Sequence, residues 1–374
     1  DGSLDASFAA NVSGALASVF GQSDGRVLLS LFPNTSPAQN AAFMRLSPFG
    51  ATESDFTLDL TSANALTFAP VAAVLALSDG SLVVGGNFNA VGGVPRANLA
   101  RLAADVPGRL TNLSALAFVP AGGDLTVGFG VRGAAAKSVL LRGVGPALGA
   151  YGVGDPLADP RLEVIPEGAL AAAFANDNWN GAALAAAFGP VGAFPLVPGS
   201  KDAALIATVG SGAMTARVTS AVAGGSGSAL AEIYDADASD AGSRLVNISA
   251  LGFAGTGSRA LIAGFAVDGA AAKRLLIRAV GPGLASFGVT DALADPRLAV
   301  IPQGTTVEIA ASDDWSGEAE IVGATVAAGA FELAAGSKDA ALVVRLPPGN
   351  YTVMVSGVGG TSGRALVEVY ELDR

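Results

Sequence analysis

The segment DPLADPRLEVIPEG at 155–168 returns as DALADPRLAVIPQG at 291–304, identical at eleven of fourteen positions. Its surroundings return with it. RLTNLSALAF (109–118) matches RLVNISALGF (244–253), LLRGVGPAL (140–148) matches LIRAVGPGL (276–284), and GSKDAAL stands at 199–205 and at 336–342. The offset is 135 residues at Arg109/Arg244 and 137 at Gly199/Gly336. All four lysines are matched, Lys137 with Lys273 and Lys201 with Lys338, and so are both tryptophans, Trp179 with Trp315. Self-similarity of this length means one domain copied. Matched Trp in matched strings predicts equivalent buried positions.

Within each copy the period is that of strands. YTVMVSGV (351–358) follows the turn string PPGN, and ALVEVYEL (365–372) follows GGTSG. Both alternate side chains and are rich in β-branched and aromatic residues. KSVLLR and KRLLIR read as buried strands. Short strands set off by Gly, Pro and Asp turns over about 130 residues predict an antiparallel β-sandwich. The Ala-rich run at 182–188 predicts one or two helical turns. The polar string DADASDAGS (235–243) reads as the linker. The organisation expected is three domains: two β repeats at 1–105, one β-sandwich at 106–240 and its copy at 241–374.

The first 105 residues carry a weaker repeat. ASVFGQSDGRVLLS (17–30) aligns with AAVLALSDGSLVVG (72–85), and FMRL (43–46) aligns with LARL (99–102). In each, Ser-Asp-Gly separates two apolar strands, and Asp-Gly supplies the positive φ of a tight hairpin. The strings LDASF, SDGSLVVGGNF and GG-x-x-R-x-N-L-A-R-L resemble the delta-60 repeats of bacterial extracellular proteins, which look like propeller blades. Two blades cannot close a propeller, so completion by a longer precursor or a partner chain is expected. The RGVGPAL, LADPRL, NDNW/SDDW and VEVYEL strings of the duplicated region are similar to β-sandwich modules that end large secreted bacterial surface proteins. They are more distantly similar to pre-peptidase C-terminal modules of secreted proteases. The resemblance implies export and a non-catalytic role.

Composition bounds the chemistry. The chain has 374 residues, 51% hydrophobic and 14% charged, with 50 Gly, no His, no Cys and a net charge of -11. Lack of His and Cys excludes Ser-His-Asp and Cys-His nucleophiles, His or Cys metal sites and disulfides. The negative charge argues against nucleic acid and anionic membranes as partners. The uncharged run at 181–199 contains Pro190, Pro195 and Pro198 and is mostly Ala and Gly, which argues against a membrane span. So little charge leaves a surface of Ala, Gly, Ser, Thr and Val, suited to packing against copies of itself. An Ala- and Gly-rich proteome would produce the same composition.

The candidate ligand set is Asn176, Asp177 and Asn178 with Asp313 and Asp314, whose clustered oxygens suit calcium. The alternative is an Asx turn with the neighbouring Trp in the core. No other cofactor is expected. Arg142 and Arg278 end apolar strands, and Asp159 and Asp295 are their expected partners. Paired-carboxylate catalysis is disfavoured because Glu163 becomes Ala299 and Glu167 becomes Gln303 in the second copy. Five N-x-S/T sequons, at Asn11, Asn34, Asn112, Asn247 and Asn350, are not assigned as modified. The reading is a non-enzymatic structural protein, secreted to the bacterial surface, that self-associates into a filament, sheath or stalk. The alternatives are an adhesion or carbohydrate-binding module set, with a glycan or cell surface as partner, or the accessory region of a larger secreted enzyme.

Overall fold

A computed structural model describes residues 8, 10, 12–22, 26–32, 40–47, 50–61, 71–77, 81–102, 109–237, 243–268 and 272–372. The chain is nearly all β and divides into two compact units, Asp1–Pro107 and Gly108–Leu372.

The first unit holds β1 (Ala15–Gly21), β2 (Val27–Phe32), β3 (Asn40–Leu46), β4 (Thr52–Thr61), β5 (Val71–Ala76), β6 (Leu82–Gly86), β7 (Ala90–Val91), β8 (Val94–Pro95) and β9 (Leu99–Leu102). One sheet runs β1-β2-β3-β4-β7-β8 and a second runs β5-β6-β9. Leu28, Phe43 and Leu60 of the first sheet meet Val71, Leu82, Val84 and Ala100 of the second in one core. Side chains stitch the sheets at Val71. Its N–H donates to Ser30 Oγ at 3.1 Å, and its carbonyl accepts from Ser18 Oγ at 2.5 Å. The expected antiparallel pairs β1–β2 and β5–β6 form. Their Ser-Asp-Gly turns lie outside the described residues. Between β7 and β8 the turn is Gly92-Gly93, with φ of 55° and 77°, the left-handed pair a two-residue hairpin requires.

The second unit contains the first copy's β10 (Arg109–Val119), β11 (Leu125–Gly133), β12 (Lys137–Val144), β13 (Pro160–Pro166), β14 (Phe174–Asn176), β15 (Ala203–Val209), β16 (Gly212–Ser220) and β17 (Gly227–Asp235). The second copy repeats them as β18 (Ser243–Ala254), β19 (Leu261–Asp268), β20 (Lys273–Val280), β21 (Pro296–Pro302), β22 (Ala310–Ser312), β23 (Ala340–Leu346), β24 (Gly349–Gly357) and β25 (Gly363–Glu371). The sixteen strands resolve into two runs, β15-β12-β17-β10-β19-β24-β21-β22 and β14-β13-β16-β11-β18-β25-β20-β23. Each copy gives four strands to each run. The copies therefore meet edge to edge, β10 on β19 and β11 on β18, all antiparallel. The runs touch where β10 and β18 lie parallel, at Leu110↔Leu245 and Phe118↔Phe253.

Alternation explains the layering. Along β10, Leu110, Leu113, Ala115, Ala117 and Val119 point inward and are buried, while Asn112, Ser114 and Leu116 take the other face. One continuous core holds inward residues of both copies, including Leu113, Val127, Ile248 and Phe265. The boundary near 240 is thus a boundary of the repeat, and the compact unit spans it.

The segment after β12 folds back over the outer face of its own sheet. Trp179, 6% exposed, packs there with Leu140, Phe188 and Tyr234, and Trp315, 8% exposed, packs with Leu276, Ile321 and Ala324. The matched tryptophans are indeed equivalent and buried. The cover includes α1 (Ala182–Ala186) and its counterpart α2 (Ala319–Ala328). The first is little more than a single turn, and Gly189-Pro190 lies just beyond its end, where Pro190 cannot continue it. The second has Glu320 in its first turn and a left-handed Gly329 at its end, so it runs longer. No described helix is long and apolar enough to cross a membrane.

Candidate functional site

Each copy is built around a buried arginine. Arg142 stands opposite Glu232 in the β12–β17 register, and Arg278 stands opposite Glu368 in the β20–β25 register. Arg142 Nε donates to Glu232 Oε2 at 2.7 Å, and Arg278 Nε donates to Glu368 Oε2 at 2.8 Å. Nη2 of each lies 2.7 and 2.6 Å from the same carboxylate oxygen, and Nη1 donates to the carbonyl of Phe194 or Phe331, both at 2.5 Å. The rings of these two phenylalanines lie 4.2 and 4.4 Å from the guanidinium carbons. The hydroxyls of Tyr234 and Tyr370 donate to the other carboxylate oxygen at 2.7 and 2.6 Å. Burial pushes the Glu232 carboxyl up, against the pull of Arg142, and burial also pushes the Tyr234 phenol up.

These partners correct the expected ones. Asp159 and Asp295 are not beside the arginines but face Lys201 and Lys338 at 3.6 and 3.8 Å. The physical reason is register: Arg142 lies within a strand flanked by β17, so its neighbour is a cross-strand residue rather than a turn aspartate.

A second buried acid clamps the turn after each arginine strand. Asp202 Oδ1 accepts from Gly145 N at 2.8 Å and Ala147 N at 3.2 Å, while Oδ2 accepts from Ser200 Oγ at 2.6 Å. Asp339 does the same for Gly281, Gly283 and Ser337 at 2.8, 3.1 and 2.7 Å. A Cβ on Gly145 or Gly281 would stand 2.0 Å from the carbonyl oxygen of Leu157 or Leu293.

The Asx strings sit beside this clamp. Asn176 Oδ1 accepts from Ala204 N at 3.0 Å and its Nδ2 donates to the Asn178 carbonyl at 3.1 Å. Asp177 and Asp313 are exposed, Asp313 Oδ1 accepts from Asp314 N at 3.0 Å, and Asp314 Oδ2 pairs with Lys338 Nζ at 2.8 Å. The backbone N–H of each Trp donates to the carbonyl of Asp202 or Asp339 at 2.8 Å. Among the described residues, no group of three or more carboxylates converges as metal ligands would. The oxygens of Asn176 and Asp314 that have partners find them within the protein.

The junction of the copies makes a groove that neither copy holds alone. Three cross-strand rows lie on the outer face of the first run. Tyr234, Asn112, Ala266 and Asn350 stand side by side, then Glu232, Ser114, Gly264 and Thr352, then Leu230, Leu116, Ile262 and Met354. The first two residues of each row come from the first copy and the last two from the second. Gly264 keeps the floor low, Phe194 and Gln303 are also in the lining, and the volume is about 370 Å³. Asn112 Oδ1 is buried and has no hydrogen-bond partner. Asn350 Nδ2 donates to Gln303 Oε1 at 2.7 Å on the rim. The second run repeats the rows as Tyr370, Asn247, Gly130 and Ala213, then Glu368, Ser249, Gly128 and Thr215.

Sequence reading named Asn112, Asn247 and Asn350 only as sequons and gave them no place in a site, although a signal was present. N-L-S, N-I-S and N-Y-T look like sequons, but on a strand such spacing puts both polar side chains on one face. Polar pairs inside apolar strands, matched between copies, mark a wet face.

Residues 77–105 match the model of a domain of unknown function, DUF5122, of beta-propeller type. No curated protein matches the chain. Among solved structures, PNGF-II aligns over 94% of this chain and 94% of its own length, at 9% identity and a TM-score of 0.20. A score that low describes no shared fold.

Proposed function

We propose that this chain is a non-enzymatic, secreted bacterial structural protein that self-associates into an extracellular filament, sheath or stalk. The carrying observation is that the two copies join by pairing strand edges, in the same register on both runs: Ser114 opposite Gly264, and Ser249 opposite Gly128. A module whose edge accepts a copy of itself is suited to assembly. That contact is twofold-like and closes on itself, so growth falls to other edges. Among the described residues β15 and β23 pair on one side only. β15 reads AALIATV, carries no charge and exposes Ile206. The outer strands of the first unit expose Leu16 and Val19 on β1, Leu75 on β5 and Leu99 on β9. Natural edges are ordinarily guarded by charge.

The first unit, in this reading, consists of delta-60-like blades that a neighbouring chain completes, and the propeller-type match at 77–105 supports it. The duplicated region serves as the sandwich module of a surface protein. The test is light scattering and electron microscopy of native material in about 1 M salt, where apolar contacts persist and ionic ones are screened. Polymers that Ile206→Lys or Leu16→Lys shortens are expected. Monodisperse monomers overturn the reading. The adhesion reading is favoured by one observation, the junction groove.

A further inference from the structure

We propose that the groove between the copies binds a neutral, hydroxyl-rich ligand, one or two pyranose rings of a glycan. The inference stands independently of assembly. Its first support is shape. A concavity of about 370 Å³ falls in the lower part of the range of small-molecule sites, roughly 300–1,000 Å³.

The second support is charge. Among the described lining residues Glu232 is the one charged group, and Arg142 behind it is within 2.7 Å, so the pair presents no net charge. A phosphate or carboxylate would find no cation, and an ammonium would meet a carboxylate already neutralised. A neutral ligand fits.

The third is hydrogen bonding. Asn112 lines the groove with a carboxamide, a group that both donates and accepts. Ser114 spends its hydroxyl on a long contact, 3.3 Å, to the Gly264 carbonyl. Thr352 and the Asn350–Gln303 pair add groups that both donate and accept. Sugar hydroxyls also do both, and the apolar wall of Phe194, Leu116 and Ile262 suits the C–H face of a ring. Moreover, the polar set spans both copies. The first supplies Asn112, Ser114 and Phe194, and the second supplies Gly264, Asn350 and Thr352, so duplication created the site. In the opposite groove Asn350 is replaced by Ala213 and Gln303 by Glu167, which removes the neutral amide pair. One site per chain follows.

The experiment is calorimetric titration of the full chain with glucose, galactose, mannose, N-acetylglucosamine, lactose and cellobiose. Glucuronic acid and glucosamine serve as charged controls. At least one neutral sugar should bind at one per chain, with the charged analogues weaker. Asn112→Ala should weaken it about tenfold, one hydrogen bond's worth. Thr352→Trp, at a partly exposed position where folding is not at stake, should abolish it, and Thr215→Trp in the opposite groove should leave it unchanged. Melting temperatures of all three variants report that they are folded. The proposal is overturned if no neutral sugar binds, if the charged analogues bind as well, or if folded Thr352→Trp binds as the parent does.

Discussion

Ser114 of the first copy stands directly opposite Gly264 of the second, and its hydroxyl donates to the Gly264 carbonyl at 3.3 Å. The mirrored pair, Ser249 with Gly128, lies on the other run. In both places an ideal Cβ on the glycine would come within 2.5 Å of the serine Oγ. The glycine is what lets the serine lie across the junction.

The clash at Gly264 involves only the end of a side chain that can rotate away. Gly264→Ala should therefore change stability by no more than about 1 kcal/mol, the worth of one hydrogen bond. Gly145→Ala pushes a Cβ against the Leu157 backbone carbonyl, which cannot rotate, and should cost about 1–3 kcal/mol or more. Urea midpoints of the two variants check the ordering. Equal losses would contradict it.

Arg142 is fully buried and Glu232 nearly so, at 0% and 5% exposure. Removing one partner strands a charge, so Arg142→Met should lose about 3–5 kcal/mol, and replacing both by apolar residues should lose less. A double-mutant cycle by denaturant unfolding measures the difference. A double variant as damaged as the sum of its singles would refute the coupling.

Much of the fold was legible because duplication and alternation both leave marks in sequence. Trp179 and Trp315 could be placed in the core from matched strings alone. The partner of Arg142 could not, because Glu232 becomes its neighbour only through the register of β12 on β17, which no local string encodes. The groove was hidden for a related reason. Asn112 and Asn350 come together across β10, β19 and β24, and edge pairing between copies is a choice of geometry that repetition does not announce.

Lys137 supplies the clearest pH dependence. Its ammonium lies 2.8 Å from Asp235 and 2.6 Å from Asp237. Burial works to strip its proton, and the hydrogen bonds to the two aspartates outweigh that, raising the group above its ordinary 10.5. A cation with a raised folded value stabilises fully below the unfolded value and loses that stabilisation as pH rises through the folded one. The stability gap between the parent and Lys137→Met should be constant from neutral pH to about 10 and shrink above it. Urea midpoints across that range decide, and a gap that widens at high pH would reverse the sign.

The Asx strings make a chelator experiment informative. Asn176 holds β15 and Asp314 holds Lys338 by bonds internal to the chain. EDTA should leave the melting temperature unchanged, and added calcium should not raise it, since a native-state ion would stabilise by mass action. A calcium-dependent rise would show that Asn176–Asp177–Asn178 or Asp313–Asp314 binds the ion after all.

Cutting the duplicated unit between its copies tests the edge pairing itself. A fragment of residues 108–240 keeps β10 and β11 but loses β19 and β18, leaving two rows of backbone N–H and C=O groups without partners. Those groups are costly to leave open, and the fragment carries both halves of the lost contact. β11 reads LTVGFGVRG where β19 reads LIAGFAVD, with the same glycine and phenylalanine at the registers opposite Ser114 and Leu113. Two fragments can therefore pair β10 on β11 twice, reproducing the intact geometry as a closed, isologous dimer. Light scattering should give twice the fragment mass, with dissociation on dilution accompanied by loss of the β signal in circular dichroism. Lysine in place of Ala115, whose side chain faces the shared core at the junction, should prevent the dimer. A folded fragment that stays monomeric at every concentration would mean that the edges are incidental, and that the copies are held together by their tether.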